Sequence, residues 1–190
     1  MAQMGSFSAS GMNELQRKME KLQKAELDAF CDSCVKALAA ELLRLVMQKT
    51  PVGDYAVEKQ YTAKKDSKHH KKGDVYTKRV TPSGKQGGTL RRGWIAETHE
   101  EAAKGKGSPK KEQIEQYAEA LHVRREGDML IVDIANPVEY AAYVEYGHRK
   151  VNQGWVPGKL MLTKSEVELE QAAPGALKKK LTRFLRGHLA

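Results

Sequence analysis

The residues best equipped for chemistry form one basic, ring-bearing stretch: Lys64-Lys65, Lys68, Lys71-Lys72, Lys78-Arg79 and Lys85, interleaved with Tyr55, Tyr61 and Tyr76. Cations at this density neutralise phosphates and tyrosine rings stack on bases, so the stretch has what contact with a nucleic acid requires. A solubilising surface loop has the same composition. Nothing in the chain resembles a recognition helix or an RNA-binding sheet signature, so any such contact is to the backbone and blind to base sequence.

Catalytic and metal-binding groupings are nearly absent. There is no Gly-rich phosphate loop ending in Lys and Ser or Thr, no Gly-x-Ser-x-Gly elbow and no His-Glu-x-x-His helix. Of the histidines only His69 and His70 cluster, and adjacent side chains among repelling lysines make a poor metal site. Cys31 and Cys34 fall three apart in a helical stretch, on neighbouring positions of one face. They could be half a zinc site or a redox pair, but a second metal-binding half is missing, and small buried apolar groups are the better reading. The pairs Glu139 with Glu145 and Glu166 with Glu170 have nothing nearby to raise a pKa. No catalytic residue, metal or cofactor is therefore expected, and a nuclease would need acidic groups gathered around a metal by folding.

Charge and composition set the frame around these residues. Lys plus Arg number 33 against 24 Asp plus Glu, a net +9, which favours a polyanionic or acidic partner, with nucleic acid first, an anionic membrane second and an acidic protein third. No apolar run approaches the ~20 residues of a membrane span, and Met1 to Gly11 lacks the charged start and apolar middle of a signal peptide, so a cytosolic chain is expected.

The elements that must position these residues can be read in order. Met1 to Gly11 reads as a flexible arm, and 12–190 as a single α+β domain. Met12 to Lys49 has helical spacing, with Leu27, Cys31, Val35, Leu38, Leu42 and Leu45 at three- and four-residue steps. Unbroken, it would run about 57 Å, longer than a small domain is wide. Thr50-Pro51 stops it. Asp54 to Gly87 holds few aliphatic residues and a local excess of cations, so it reads as a basic loop insertion in which Tyr55, Val57, Tyr61, Val75, Tyr76 and Val80 could form a short hairpin.

Thr89 to His99 alternates well enough for a strand. Ala103 to Lys110 reads as a linker, Glu112 to Leu121 as a short helix, and His122 to Arg125 with Met129 to Ala135 as a hairpin around Glu126-Gly127-Asp128. Asn136-Pro137 ends that strand and begins a helix, Val138 to Tyr146, closed by Gly147. Gly154 to Gly158 reads as a loop, followed by two helices, Lys159 to Gln171 and Ala176 to Leu189, split by Pro174-Gly175. The order predicts an α+β fold: a long N-terminal helix, a small antiparallel sheet with helices packed on one face, and C-terminal helices. On the helix after Pro137, Tyr140, Tyr143-Val144 and Gly147 should pack over the strand Met129 to Ala135, leaving Glu139 and Glu145 off that face.

Three segments together resemble one family. They are Thr50-Pro51-Val52-Gly53; Gly88-Thr89-Leu90-Arg91-Arg92-Gly93-Trp94; and Asn136-Pro137-Val138-Glu139-Tyr140-Ala141-Ala142-Tyr143-Val144-Glu145-Tyr146-Gly147-His148-Arg149. They resemble the tail-component, or neck and tail-completion, family of long-tailed double-stranded DNA phages. Gly154-Trp155-Val156-Pro157-Gly158-Lys159 and Met161-Leu162 resemble the next segment of many Gram-positive prophage members, so the likeness runs from about Val35 to Leu169. One departure stands out: members commonly join the first two segments by a few residues, where this chain inserts Asp54 to Gly87.

The resemblance implies a virion structural protein, assembled in the host cytoplasm, forming a ring of six copies at the head-tail junction. Its partners would be the head connector or stopper, the tail terminator or tube proteins, and double-stranded DNA passing through. Arg91, Arg92 and the insert cations are then candidates for subunit or channel contact. Thr50, Pro51, Thr89, Leu90, Trp94, Asn136, Pro137, Tyr140, Tyr143, Glu145, Tyr146 and Gly147 are the structural motif positions. A tail terminator ring is the nearest alternative, and a free, sequence-nonspecific nucleic-acid-binding protein the main rival of another class.

Overall fold

The computed structural model describes residues 24–82 and 87–189. The expected arm Met1 to Gly11, the start of the helix expected from Met12, and Lys85 lie outside the described residues. The chain folds as α1 Lys24–Lys49, β1 Val57–Thr62, β2 Val75–Val80, α2 Thr89–Arg92 running into a 3-10 turn Gly93–Ile95, α3 His99–Lys104 and α4 Lys111–Ala120. Then come β3 Arg124–Glu126, β4 Met129–Ile131, α5 Ala141–Tyr146, β5 Gly147–Arg149, β6 Trp155–Pro157 and α6 Met161–Leu189. The class is α+β as expected, with three separate two-stranded antiparallel hairpins, β1-β2, β3-β4 and β5-β6, among the described residues in place of one small sheet.

Two compact units share these elements. One gathers the described residues through Leu45 with Glu112–Ile134 and those from Leu162; the other gathers Val46–Lys111 and Ala135–Met161. In the first, α1 buries Cys34, Ala39, Leu43 and Leu45, while α4 contributes Ile114 and Ala118. Burial removes apolar surface from water and is the main stabilising term. Phe30 of α1 stacks on Phe184 of α6 at 4.3 Å between centroids. Lys36 Nζ donates to the Glu119 carbonyl at 2.6 Å, tying α1 to the end of α4, and Arg125 of β3 reaches Asp28 of α1 at 2.9 Å. Cys34 is buried and Cys31 half-buried, both free thiols, and burial pushes the Cys34 thiol up despite the opposing charge of Lys180.

Two expectations change in this unit. The C-terminal segment is one continuous helix, with Pro174 inside it, where two helices split at Pro174-Gly175 were expected. An interior proline removes one backbone donor and crowds the preceding turn. The Glu, Ala, Leu and Lys residues on either side are strong helix formers and carry the helix through. The hairpin forms where expected, around Gly127 at φ 60, but its ladder is short, pairing only Arg124↔Ile131, Arg125↔Leu130 and Glu126↔Met129.

The second unit departs further. Thr89 to His99 is helical and turn-like, not a strand: Gly88 at φ 90 opens the turn and Arg92 N donates back to the Gly88 carbonyl at 3.0 Å, so the segment satisfies its backbone locally. Ala103 and Lys104, expected in a linker, complete α3. Helix α5 begins later than expected, after a turn in which Ala141 N donates to the Val138 carbonyl at 2.8 Å. Trp155–Pro157, expected as a loop, pairs with β5 through Gly147↔Pro157, His148↔Val156 and Arg149↔Trp155.

This last hairpin is held against α5 by two glycines. Gly147 sits at φ 88 and ψ 175, a region essentially closed to other residues. A Cβ there would lie 2.3 Å from the Val156 carbonyl, and one on Gly158 would lie 2.1 Å from the Glu145 carbonyl. Gly127, by contrast, has a positive φ and open space around it. Gly147→Ala is therefore expected to cost about 3 kcal/mol, from backbone strain plus overpacking. Gly127→Ala should cost only about 1 kcal/mol, from backbone conformation alone. Thermal melts check this, and equal Tm losses for the two would contradict it.

Candidate functional site

The site is built around Thr50, the residue that ends α1. Its hydroxyl donates to the Val46 carbonyl at 2.6 Å and accepts from Trp94 Nε1 at 2.9 Å. Its amide also donates to the Val46 carbonyl, and its own carbonyl accepts from Arg91 Nη2 at 2.6 Å. Every polar group of a residue only 1% exposed is thus satisfied, which burial demands. Asn136 joins the third segment to the second: its Nδ2 donates to the Leu90 carbonyl at 2.8 Å, while its Oδ1 accepts from Val138 N at 3.1 Å. Gly93 makes room for this clasp, since a Cβ there would fall 2.2 Å from Asn136 Oδ1.

Arg92 fixes the loops around α2. It is 7% exposed, and its guanidinium donates to the carbonyls of Ala102 at 2.7 Å, Gly87 at 3.1 Å and Gly107 at 2.9 Å. Desolvation pulls its pKa down from the usual value. The carbonyl dipoles and the rigid fork of five donors explain how the cation is held there. Arg92 is thus a structural clamp, correcting its placement among the contact cations. Arg91 is half-buried and turned to Thr50, with a further bond to Ser108 Oγ at 3.1 Å.

The three motif segments also meet at the surface. Pro51 and Val52 from the first, Thr89 and Leu90 from the second, and Tyr140 and Val144 from the third line a cleft of about 300 Å³. Its only titratable lining groups are Tyr55 and Tyr140, and burial with the nearby Tyr55 pushes Tyr140 up. Such a lining has no nucleophile, base or acid pair, and suits the apolar side chain of a docking partner. Among the described residues no group of three or more His, Cys, Asp or Glu could hold a metal ion.

The aromatic stripe expected in the core lies outside instead. Of its rings Tyr143 is 60% exposed and Tyr140 is exposed as well, whereas Glu145, expected off the core face, is 5% exposed; Tyr146 and Trp155, outside the expected stripe, are 66% and 60% exposed. The segment after β6 is bonded to this end of α5, the Val144 and Glu145 carbonyls accepting from Lys159 N at 2.8 Å and Leu160 N at 3.0 Å, and Glu145 is the buried residue of the helix. Helical spacing fixes which positions share a face but not which face meets the core, so periodicity alone placed the rings inside. Buried aromatics and exposed ones have the same spacing, which is why the pattern could not separate them. Rings left in water are enriched where proteins meet.

The insert cations sit on or beside the β1-β2 hairpin. Lys64, Lys65, Lys68, Lys71, Lys72, Lys78 and Arg79 are all exposed. Carboxylates are distributed among them: Arg79 pairs with Asp54 at 2.6 Å, Lys71 N donates to Asp74 at 2.7 Å and Lys72 N to Asp66 at 2.7 Å. The hydrogen bonds from Ala56 N and Arg79 hold the Asp54 carboxyl below its usual range. Tyr61 and Tyr76 face each other across the ladder at 6.0 Å, and His70 stacks on Tyr76 at 4.2 Å. Of the three rings expected to stack on bases, Tyr61 and Tyr76 thus stack on one another, while Tyr55 is exposed.

A family model described as "Bacteriophage HK97-gp10, putative tail-component" matches residues 13–147, a span that contains the first two motif segments and the third as far as Gly147. No curated protein and no solved structure matches the chain.

The Thr50 clasp has a direct test. Thr50→Val keeps the shape but leaves the buried Trp94 N–H without an acceptor, at an expected cost of about 1–3 kcal/mol. Thr50→Ser keeps the hydroxyl and should retain most of the stability, losing about 1 kcal/mol for the methyl group. Chemical denaturation distinguishes them, and a valine variant as stable as the serine one would show that the bond does not matter.

Proposed function

The chain belongs to the HK97 gp10-like family of phage tail components, and on that premise we propose that it completes the tail at the head-tail joint. In this reading copies close into a ring of six, contacting the connector or stopper on one side and the terminator or tube proteins on the other, with duplex DNA passing through. A structural tail protein is what the family membership states; the ring, the position and the passage are the proposal. Heterologous contacts that close on themselves generate such rings.

The observation that carries the proposal is the surface made by the three motif segments. Their buried members interlock through Thr50, Trp94, Leu90 and Asn136, and their surface members line one cleft free of catalytic groups. Beside it, the α5-β5-β6 segment exposes Tyr143, Tyr146 and Trp155. A rigid base with exposed rings is how protein interfaces place their strongest contacts. The hairpin β1-β2 has two open strand edges, which can pair with a neighbouring chain; in this proposal the hairpin reaches the next ring or the tube. Among the described residues no helix is long and apolar enough to cross a membrane.

Cryo-electron microscopy of the intact particle tests the placement. Sixfold density for this chain at the head-proximal end of the tail is expected. Density as the last ring of the tube itself would favour the terminator alternative, and absence from the particle would favour the free nucleic-acid-binding rival. Surface variants test the contacts. Tyr146→Ala combined with Trp155→Ala should change folding stability by only about 0.5 kcal/mol for each exposed position. The same variant should lower the yield of joined particles by roughly tenfold, the effect of about 1.4 kcal/mol at an interface. Replacing 54–87 by a short Gly-Ser link should also block joining; normal assembly with packaged DNA retained would remove the insert from the proposal.

A further inference from the structure

Helix α6 carries a second cationic surface, outside the residues that the family model matches. After Glu170 the sequence has no Asp or Glu, yet it holds Lys178, Lys179, Lys180, Arg183 and Arg186. Lys180 turns inward and donates to the Ser33 carbonyl of α1. The other four are exposed and line one open groove of about 610 Å³ together with Gly175 and Thr182. Lys179, Arg183 and Arg186, four and three residues apart, lie along one helix face, with Lys178 at its edge beside Lys179. None of the four has an ion-pair partner among the described residues.

Helix electrostatics alone does not account for the stripe. The dipole rewards cations only within the last turn, whereas Lys178 lies about 16 Å before Leu189 at 1.5 Å per residue. A membrane surface is a poor match, because an interfacial helix needs apolar residues next to its cations. Here Phe184 is engaged with Phe30, the groove lining holds no large apolar side chain, and Leu181, half-exposed at its flank, is the one large apolar residue exposed near the stripe among the described residues. A protein partner would need a central aromatic or aliphatic anchor, and Leu181 lies at the flank of this face, outside the groove lining. What remains complementary is a rigid, regularly charged polyanion. Duplex DNA presents about one negative charge per 1.7 Å of its axis, and the stripe from Lys178 to Arg186 spans about 12 Å. Gly175, with nothing within 4 Å of where its Cβ would be, leaves the groove open at one end.

We propose that this face of α6 binds the phosphate backbone of duplex DNA without regard to sequence, and that it, more than the β1-β2 hairpin, is the DNA-contacting surface of the subunit. The inference deepens the reading of a subunit that surrounds DNA, but binding in solution requires no ring, so the two can fail separately. The hairpin has more cations, but Asp54, Asp66 and Asp74 are bonded among them, while α6 offers four with no carboxylate between.

The test is fluorescence anisotropy of a short labelled duplex with the full chain, between about 50 and 200 mM salt. Two variants are compared with the parent: Lys179→Gln/Arg183→Gln/Arg186→Gln, and Lys64→Gln/Lys68→Gln/Lys71→Gln. Glutamine is a good helix former, so α6 should persist, which circular dichroism checks. The α6 variant should bind at least tenfold more weakly at the lower salt. Its slope of log affinity against log salt should fall by about 2.7, three contacts at about 0.9 each. The hairpin variant should stay within about threefold of the parent, since its lysines lie among carboxylates that already offset part of their field. A parent that does not bind duplex at the lower salt, or a loss that follows the hairpin variant, overturns the proposal. So does an α6 variant that keeps its DNA affinity yet fails to join particles, which would assign the groove to a protein.

Discussion

The second unit depends on buried polar groups whose partners come from distant segments of the chain. Thr50 ends α1 with its amide, hydroxyl and carbonyl each bonded, to Val46, Trp94 and Arg91. Arg92, in the turn of helix beside it, donates to the Ala102 carbonyl of α3 and to the loop carbonyls of Gly87 and Gly107. Each bond in such a buried network matters because an orphaned polar group costs more than a bond contributes. That constraint explains why the three motif segments, far apart in the chain, must come together as one piece. It also explains why the chain can have little regular sheet here: side chains do the joining that a ladder would do elsewhere.

A rigid clasp frees its outer residues for contact. With Thr50, Trp94 and Asn136 holding the interior, Tyr143, Tyr146 and Trp155 need not serve as core and remain in water. The glycines at 147 and 158 let β5-β6 approach α5 closely enough to support those rings. The motif thus has two layers, a bonded interior and an aromatic exterior, and only the second is available to a neighbour. Large rings on a stiff base lose little conformational freedom on binding, which favours assembly.

Charge is divided in a similar way. The insert hairpin mixes its lysines with aspartates and stacks its rings on one another, so its high cation count overstates its attraction for a polyanion. The C-terminal half of α6 has fewer cations but no acid among them, and a helix fixes their direction. Local arrangement, more than net charge, decides where a phosphate backbone can be held.

Much could be read from the chain alone. The 3.6-residue spacing of apolar positions marked α1, Thr50-Pro51 its end, the turn at Gly127 the β3-β4 hairpin and Gly147 the end of α5. These are local matters of turn chemistry and periodicity, which neighbours in sequence decide. The three motif segments were legible as a set, and with them the family. Their geometry was not. That Thr89 to Trp94 is a turn of helix, that Glu145 is inside and Tyr146 outside, and that Arg92 is a clamp all depend on partners distant in sequence. A single helix through Pro174, and a strand at Trp155 in place of a loop, likewise come from context that overrides local punctuation. The α6 stripe was present in the sequence as Lys178 to Arg186, but only the structure turned Lys180 inward and left the other four facing one groove. Sequence spacing sets which residues share a face; the packing of the rest of the chain sets which face meets water.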